Sequence, residues 1–234
     1  MSEIDQPSNG NLLLAAISHE EYERLEPHLQ PVTLNLSEIL YRPGETVREV
    51  YFPQTCVISL LTELENGSGM EVGLVGREGI VGISAILGGG ETKLVTVQGA
   101  GSALKLSAET LHAEFNQGGT LQSSLLRYTH ALMTQISQSV VCNVRHPIAG
   151  RMARWLLMFS DRAASDEFIL THEFMANMLG VRRSGISEIA NKLQKRGLIS
   201  YRRGHIKILN RKGLEEFACE CYPVVKQKYH QLLL

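Results

Sequence analysis

The stretch His172–Leu198 constrains the fold most, because it reads as two short helices joined by a tight turn. Apolar residues recur at helical spacing in both halves, and Gly180 between them suits the left-handed conformation that ends a helix. We predict that Ser184 caps the second helix and that Gly197 ends it. On this pattern alone, a helical hairpin inside an ordinary core and a DNA-reading helix-turn-helix fit equally well.

The segment after the helix pair favours the second interpretation. Residues 199–208 alternate between apolar and polar side chains around Gly204, which predicts a tight β-hairpin with a basic tip. Helix, turn, helix and basic hairpin together make the winged form of the helix-turn-helix. Arg182 and Arg183 stand at the head of its second helix, where side chains of a bound helix reach a DNA major groove.

Charged residues are distributed unevenly along the 234 residues, although the formal net charge is only −1. From Pro147 to the C-terminus there are 15 Lys and Arg against 8 Asp and Glu, whereas residues 1–146 hold 8 against 16. A basic C-terminal part on an acidic N-terminal part fits phosphate contact by the former alone. With 44% apolar and 20% charged residues, the composition is that of a globular protein of about two domains.

No stretch of the sequence suggests a membrane span or an export signal. The apolar runs are only a few residues long, which is too short to cross a bilayer. The first residues are acidic and polar, without the basic region that opens a secretory signal. We therefore predict a cytoplasmic protein with no membrane partner.

The N-terminal half predicts a helical opening followed by many short strands. Residues 12–29 form the opening, with Ser18 and Glu21 as a capping box. Strand signals follow at 32–36, 39–47, 50–53, 56–64, 70–75, 93–98 and 102–107, with turns at Pro43-Gly44 and Asn66-Gly67. Such short strands without long helices between them are typical of an all-β barrel or roll. Residues 107–115 then predict a short capped helix.

A long and nearly uncharged helix is predicted from Thr120 to about Val144. Its apolar residues form two rows: a broad face of Leu121, Leu125, Leu132, Ile136 and Val140, and beside it a seven-residue repeat of Leu126, Met133 and Val140. Because a solvated helix carries more charge, we expect burial on two sides. One side would face the β-roll, and the other either a partner's copy of this helix or the rest of a monomer.

His146-Pro147 interrupts the long helix, and a proline readily starts a new one. An amphipathic helix is predicted over 147–164, with Ile148, Met152, Trp155, Leu156 and Phe159 facing inward. A short strand at 168–171 leads into the helix pair. After the hairpin, we predict one terminal helix that starts at Asn210 and runs through Leu232.

The cysteines Cys56, Cys142, Cys219 and Cys221 are scattered along the chain. Only Cys219 and Cys221 are close in sequence, and one intervening residue is a poor spacing for a zinc or iron–sulfur site. We therefore predict no metal site and expect reduced, partly buried thiols. Redox sensing through the close pair is the alternative.

The order of β-roll, long dimer-type helix, proline-marked helix and winged helix-turn-helix resembles the Crp/Fnr family of bacterial transcription regulators. The resemblance covers almost the whole chain and is most specific in RMARWLL (151–157) and in FILTHEFMANMLGVRRSGISEIANKLQKRGLISYRRGHIKILNRKGLE (168–215). It implies an α+β protein. Residues 1–118 would be a sensor domain, a double-stranded β-helix (jelly-roll-like β-roll) similar to those that bind cyclic nucleotides. Residues 119–146 would be a dimerisation helix and residues 147–234 a winged helix-turn-helix DNA-binding domain.

The resemblance also implies partners and DNA contacts. The partners are a second copy of the chain, double-stranded DNA with a near-palindromic promoter site, and RNA polymerase, with signal binding moving the two recognition helices. Base-reading positions fall on Arg183, Ser184 and Glu188, where the regulator that responds to cyclic AMP has Arg, Glu and Arg, so we expect a different operator. The other candidate DNA contacts are Arg182, Ser187, Lys192, Arg202, Arg203, His205 and Lys207. For the lysines and the wing arginines, a merely solvated face is the alternative.

The sensor end departs from the family pattern. Relatives that bind cyclic AMP carry a phosphate cassette with a Gly-Glu pair and, further along, an Arg-Ser pair. Here these positions read Gly82-Ile83 and Lys93-Leu94, which lack the glutamate, the serine and the bidentate arginine. We expect no conventional cyclic AMP binding, assign no cofactor, and keep as candidate effector contacts Gly82, Ile83, Lys93, Leu94 and Tyr128. The glycines at 76–79 and 88–90 would serve tight roll corners or, alternatively, an anion cradle.

Other functions remain to be weighed against a regulator with an effector. The sensor pocket could be vestigial, or cysteine thiols could make the regulator redox-responsive. Iron–sulfur sensing as in the Fnr branch needs an N-terminal cysteine cluster, and no cysteine precedes Cys56. An enzyme would need a nucleophile and a base, but Ser123-Ser124 with His130 form no recognisable motif, and GxSxG and HExxH signatures are absent. We predict no enzymatic activity.

Overall fold

The computed structural model describes residues 10–65 and 69–232, so the predicted turn at Asn66-Gly67 lies outside the described residues. The chain opens with the short helices α1 (Leu12–Ala15) and α2 (His19–Leu25), followed by a single 3-10 turn at Glu26–His28. The predicted opening is therefore helical but divided. The capping box is confirmed, because the Ser18 side chain accepts from the Glu21 backbone and the Glu21 side chain accepts from the Ser18 backbone.

The described part of the N-terminal half holds two antiparallel sheets that form the β-roll. Its strands are β1 (Gln30–Leu34), β2 (Ile39–Tyr41), β3 (Glu49–Pro53), β4 (Val57–Glu63), β5 (Gly69–Val75), β6 (Leu94–Gly99) and β7 (Gly101–Ser107), with the short helix α3 (Ser84–Leu87) before β6. The sheet orders are β1-β7-β3 and β2-β6-β4-β5. Phe52, Ile58 and Leu74 fill the core of the roll. The predicted strand 39–47 is shorter than expected, because the chain turns at Pro43-Gly44 soon after β2.

Three helices carry the chain from the roll toward the C-terminal part: α4 (Ala108–Asn116), α5 (Gly119–Arg145) and α6 (Ile148–Ala163). Ser107 caps α4 as predicted. Helix α5 ends where His146 turns to extended backbone, and α6 begins directly after Pro147.

Helix α5 buries one face and leaves another open. Leu121, Leu125 and Leu132 are buried, as predicted. The prediction for Val140 was wrong in one respect, because this side chain is 61% exposed and belongs to the open row alone. The row also contains Leu126, 50% exposed, and Met133, 62% exposed. A single chain thus leaves an apolar stripe along α5 in contact with solvent.

The C-terminal part has the winged helix-turn-helix order. Its elements are β8 (Glu167–Ile169), α7 (His172–Leu179), α8 (Arg183–Lys195), β9 (Ile199–Arg202), β10 (His205–Ile208), α9 (Arg211–Phe217) and α10 (Cys221–Leu232), and the sheet order is β8-β10-β9. Gly180 is left-handed (φ +63°), which confirms the predicted end of α7. The wing turns on Arg203 and Gly204, both with positive φ, as a two-residue hairpin loop requires.

Two predictions about these helices were wrong. Helix α8 starts at Arg183, so Ser184 lies inside its first turn, and Arg182 precedes it without a side-chain cap. The predicted terminal helix is two helices, because α9 ends at the extended residue Ala218. Pro223 explains this break: a proline is tolerated in the first turn of α10 but would clash with the preceding turn inside a continuous helix.

Helix α10 packs back onto α5 and α6 rather than onto the wing. The rings of Tyr229 on α10 and Tyr128 on α5 lie 6.4 Å apart, and both are buried. One flank of α5 is therefore covered from within the chain. Among the described helices, none is both long and apolar enough to cross a membrane.

Candidate nucleic-acid interface

Helix α8 is built to present one polar face. Ile186, Ala190 and Leu193 are buried and hold the helix against α6 and α7. Because these residues fix the rotation of α8 about its axis, the opposite face points to solvent. Arg182, Arg183, Ser184, Glu188 and Lys192 are all exposed there.

Ser187 differs from the other candidate DNA contacts. Its hydroxyl lies 2.8 Å from Nδ1 of His172 and donates to the Arg183 carbonyl at 3.2 Å. The His172 ring stacks on Tyr201, with ring centroids 4.3 Å apart. Burial, and to a lesser degree Arg183, lowers the pKa of His172. A largely neutral His172 thus ties the head of α8 to the start of α7, a role that no local sequence pattern signals.

The wing presents its predicted basic residues to solvent. Arg202, Arg203 and His205 are exposed at the tip. Lys207 is exposed as well, but its ammonium pairs with the Glu167 carboxylate on β8. The ammonium of Lys192 on α8 lies 5.8 Å from the centre of the Phe217 ring, and this cation–π contact partly engages its charge. Arg183 and the wing-tip arginines therefore have more freedom to reach an external phosphate or base.

Arg162 on α6 joins the DNA-reading part to the roll. Its Nε lies 2.9 Å from the Glu78 carboxylate and also donates to the Leu74 carbonyl at 3.0 Å. Its other nitrogens donate to Met158 and Gln135, and the guanidinium sits 5.1 Å above the Tyr229 ring. Burial is the largest single effect and opposes the charged form, but Glu78, Tyr229 and Asp161 together outweigh it and raise the pKa of Arg162. The ion pair is thus buried and fully partnered.

The glycines at 76–79 lie at a tight corner of the roll, as the first of the two predictions had it, and the Gly79 N–H donates to the Gly76 carbonyl at 3.0 Å. A Cβ on Gly76 would lie 2.4 Å from Cβ of Arg162, and a Cβ on Gly79 would lie 2.2 Å from the Tyr128 ring. Glycine is required at both positions because α6 and α5 approach the roll so closely. Gly88 and Gly89 differ: both have positive φ and meet nothing nearby, so they serve an open turn.

A second buried contact crosses the same junction. Glu71 on β5 accepts from Trp155 Nε1 at 2.7 Å and from the Ser59 hydroxyl at 2.8 Å. Burial raises the pKa of Glu71 to about 7, against the lowering effect of both donors. Above this pair, a cleft of about 1110 Å³ separates the β4–β5 hairpin from the α7–α8 turn. Residues on its walls include Met70, Arg182 and Ser184. The head of α8 therefore borders the β-roll.

The candidate effector contacts do not form one open pocket. Tyr128 is fully buried, and its hydroxyl donates to the Ile80 carbonyl at 2.9 Å. Ile83 and Leu94 are half-buried and pack against the core of the roll. The ammonium of Lys93 donates to the adjacent Thr92 hydroxyl. Gly82 is buried with a positive φ, and a Cβ there would meet valine side chains.

A carboxylate of the chain itself occupies the backbone donors next to Lys93. Buried Glu91 accepts the backbone N–H of Thr92 at 2.9 Å and that of Lys93 at 3.1 Å. Its other oxygen accepts from the Ser84 hydroxyl at 3.3 Å. Donors that could hold an external anion are thus already satisfied from within the chain.

The structure brings Cys142 together with Cys219 and Cys221, which are distant from it in sequence. Cys142 and Cys219 have their sulfurs 3.4 Å apart, and Cys221 lies 3.4 Å from Nδ1 of His146. The hydrogen bond with Cys142 lowers the pKa of Cys219, and the same bond raises that of Cys142. The sequence prediction missed this cluster because it considered only spacing along the chain. Cys56 lies apart in the roll, where burial raises its pKa to about 12.

Comparisons with known proteins agree with this architecture. Residues 150–217 match the family described as a Crp-like helix-turn-helix domain. The chain is 20% identical to the anaerobic regulatory protein of Bacillus subtilis over 225 residues, which span 92% of this chain and 93% of that protein.

Solved structures share the fold at low identity. FixK2 from Bradyrhizobium japonicum superposes with a TM-score of 0.70 and 16% identity, covering 82% of this chain and 98% of that one. A transcriptional regulator of the Crp/Fnr family from Eubacterium rectale gives a TM-score of 0.66 and 16% identity, over 88% and 96% of the two chains.

An exposed basic helix head and wing, carried by a Crp-like domain behind a β-roll, define a DNA-binding transcription regulator. The predicted α+β class, with an N-terminal roll, a long helix and a C-terminal helix-turn-helix, is confirmed. Residues 150–217 thus match a Crp-like helix-turn-helix domain, and the chain as a whole is similar in fold to solved Crp/Fnr regulators.

Proposed function

We propose that this regulator binds a near-palindromic site on double-stranded DNA as a homodimer and reads it with α8. The observation that carries the proposal is the exposed head of α8, where Arg182, Arg183 and Ser184 stand free of the core while its buried face is fully packed. The basic tip of the wing adds further exposed positive charge beyond the helix. A cytoplasmic location, contact with RNA polymerase and the absence of enzymatic activity belong to this proposal.

The open row on α5 supports the homodimer. Leu126, Met133 and Val140 repeat every seven residues and are all at least half exposed, and Val144 beyond them is 77% exposed. A helix seam with this period packs against a second helix. Because α10 already covers another flank of α5, the row is free for a partner's copy of the same helix. Twofold symmetry would then present two recognition helices to two half-sites.

The polar residues of α8 divide into two roles in this proposal. Arg183 would pair with a guanine edge, Glu188 would accept from a cytosine amine, and Ser184 would reach a neighbouring base. Arg182, Lys192 and the wing residues Arg202, Arg203, His205 and Lys207 would contact phosphates, which position the protein without reading sequence. Ser187 would act indirectly, since its hydroxyl is engaged by His172.

Selection from randomised duplexes, followed by binding measurements on the selected site, tests this division. Arg183→Ala should cost about 1–3 kcal/mol at one base pair in each half-site and relax the preference there. Lys192→Ala is the matched control from the same exposed face. It should weaken binding to all duplexes alike and reduce the slope of affinity against salt.

The outcomes separate the two roles. An unchanged preference at every base in the Arg183→Ala variant would refute its assignment as a base reader. A Lys192→Ala effect confined to one base position would refute the phosphate role. If wild-type protein selects no sequence at any salt concentration, the proposal of sequence-specific binding fails as a whole.

One observation favours a variant of this function, an effector-independent regulator with a vestigial sensor pocket. The Glu91 carboxylate already occupies the backbone donors of Thr92 and Lys93, and a cyclic phosphate would have to displace it. We expect added cyclic AMP to leave DNA affinity unchanged. A cyclic-AMP-dependent rise in affinity would refute this variant and restore a sensor role for the pocket.

A further inference from the structure

A cluster of metal-ligating side chains lies outside the DNA-reading surface, at the junction between α5 and the C-terminal part. Cys142 and His146 sit one turn apart at the end of α5, and Cys219 and Cys221 flank the connection from α9 to α10. The four donor atoms, three sulfurs and one imidazole nitrogen, all lie within 4.8 Å of one another. DNA binding does not explain why donor side chains from two distant segments of the chain meet here.

The spacing of the donors fits a single tetrahedral ion. With zinc–sulfur bonds of ~2.3 Å, the corners of a tetrahedron lie ~3.8 Å apart. The separations of 3.4 Å between Cys142 and Cys219 and between Cys221 and His146 are close to that edge length. An iron–sulfur cluster places irons and sulfides between its protein ligands and would hold the thiolates farther apart. Three thiolates with one imidazole is also a ligand set that structural zinc sites use.

Neighbouring polar side chains contact the donor residues in the way that outer-shell partners orient metal ligands. The Nδ1 atom of His146 faces Cys221, while its Nε2 atom lies 3.3 Å from the Glu220 carboxylate. A carboxylate on the far ring nitrogen fixes the tautomer and orientation of a ligating histidine. Gln138 donates to the Cys221 sulfur at 3.1 Å.

The charge of such a centre is also balanced. Three thiolates around a divalent cation leave one negative charge, and the guanidinium of Arg154 interacts favourably with both Cys142 and Cys219. Arg154 is buried, and its Nε has no hydrogen-bond partner among residues 10–65 and 69–232. A buried guanidinium with an unsatisfied donor is costly, and an anionic centre nearby would compensate its charge.

We propose that Cys142, His146, Cys219 and Cys221 bind one divalent ion of the zinc class, releasing the thiol protons to solvent. The ion would tie the end of α5 to the α9–α10 connection, on either side of the bend at His146-Pro147. Binding would therefore fix the orientation of the DNA-reading domain against α5. The metal site stands independently of the proposed function, and only its effect on DNA affinity rests on that function.

Titration of the reduced full-length protein with Zn²⁺ and with Co²⁺ tests the proposal. We expect one ion per chain, visible absorption of tetrahedral thiolate-bound Co²⁺, and protection of three thiols from alkylation. Cys219→Ser should abolish the Co²⁺ spectrum, whereas Cys56→Ala, the matched control in the roll, should leave it unchanged. Glu220→Gln, at an exposed position with little risk to folding, should weaken Zn²⁺ binding by roughly 10-fold.

Several results would overturn the proposal. These are a Co²⁺ spectrum that persists in Cys219→Ser, no stoichiometric binding in the reduced wild type, or iron with acid-labile sulfide in its place. A disulfide between Cys142 and Cys219 that forms equally fast with and without Zn²⁺ would assign the cluster to redox chemistry instead. Zn²⁺-loaded protein should bind the selected duplex more tightly than chelated protein. Loss of all DNA binding with one Zn²⁺ still bound would tell against the proposed function and leave the metal site standing.

Discussion

Raising the pH from about 5 to about 8 should lower the free energy of unfolding through Glu71, which lies buried between the roll and α6. This carboxyl is buried at the junction and accepts hydrogen bonds from Trp155 and Ser59. Burial raises its pKa from 4.5 to about 7, with Arg154 and Arg162 among the groups that oppose the rise. Glu71 therefore keeps its proton in the folded protein under conditions where the unfolded chain has lost it.

The direction and size of the effect follow from this difference. The folded state binds the extra proton between pH 4.5 and about 7, so its stabilisation is complete below that range and is lost as the pH rises through it. A pKa displacement from 4.5 to about 7 corresponds to about 3 kcal/mol in the free energy of unfolding. The group is almost fully buried, so solvent screens it little.

The molecule contains its own probe of this contact. Trp155 is the only tryptophan in the sequence, and its indole N–H donates directly to Glu71. Its fluorescence should titrate with a midpoint near 7, and apparent stability to urea should fall over the same range. Glu71→Gln is the control, because the amide oxygen still accepts from Trp155 and the Ser59 hydroxyl rotates to accept from the amide nitrogen. Its fluorescence should be flat with pH.

His172 makes the control necessary. Burial lowers its pKa, so its contribution to stability is lost as the pH falls, which is the opposite direction. His172 is present in both proteins, and its effect cancels in their difference. A titration midpoint near 4.5, or the same pH dependence in Glu71→Gln as in the wild type, would refute the reasoning.

Two further predictions concern the long helix. Gly79→Ala should destabilise the protein by about 3 kcal/mol, because the new methyl group meets the Tyr128 ring at 2.2 Å, and thermal unfolding measures this loss. Gly185→Ala, at a position with no positive φ and nothing within 4 Å, is its control, and equal losses in the two variants would contradict the packing argument. Met133→Glu should convert a dimer into a monomer in sedimentation experiments while leaving the fold intact, since the side chain is 62% exposed in one chain. A dimer of unchanged affinity would remove α5 from the interface.

Elements set by local chemistry were predictable from the sequence. The α7–α8 turn depends on Gly180 and the wing on Gly204, and both conformations follow from the residue itself. The capping box at Ser18 is equally local. Pro223 is an equally local signal for the break before α10, but the prediction of one helix from Asn210 through Leu232 did not take it into account.

What the sequence could not provide is tertiary proximity. The glycines at 76 and 79 are turn residues, but only the folded chain shows that Arg162 and Tyr128 leave no room for a side chain there. The Cys142–Cys219 contact joins residues 77 positions apart, and one-residue spacing at Cys219 and Cys221 argued against the site. Glu71 and Glu91 carried no motif, since a buried carboxylate is recognised only by its partners.

The return of α10 to α5 has a practical consequence for dividing the chain. Cutting at residue 147 would separate α10 from α5, so Tyr229, which is buried in the intact protein, would lose its Tyr128 partner on the isolated C-terminal fragment. The complementary fragment would expose Tyr128. In chimaeras between relatives, α10 should therefore come from the same parent as α5. The DNA-binding part would then be exchanged as an internal segment, from about Ile148 to Phe217, and not as the whole C-terminal part.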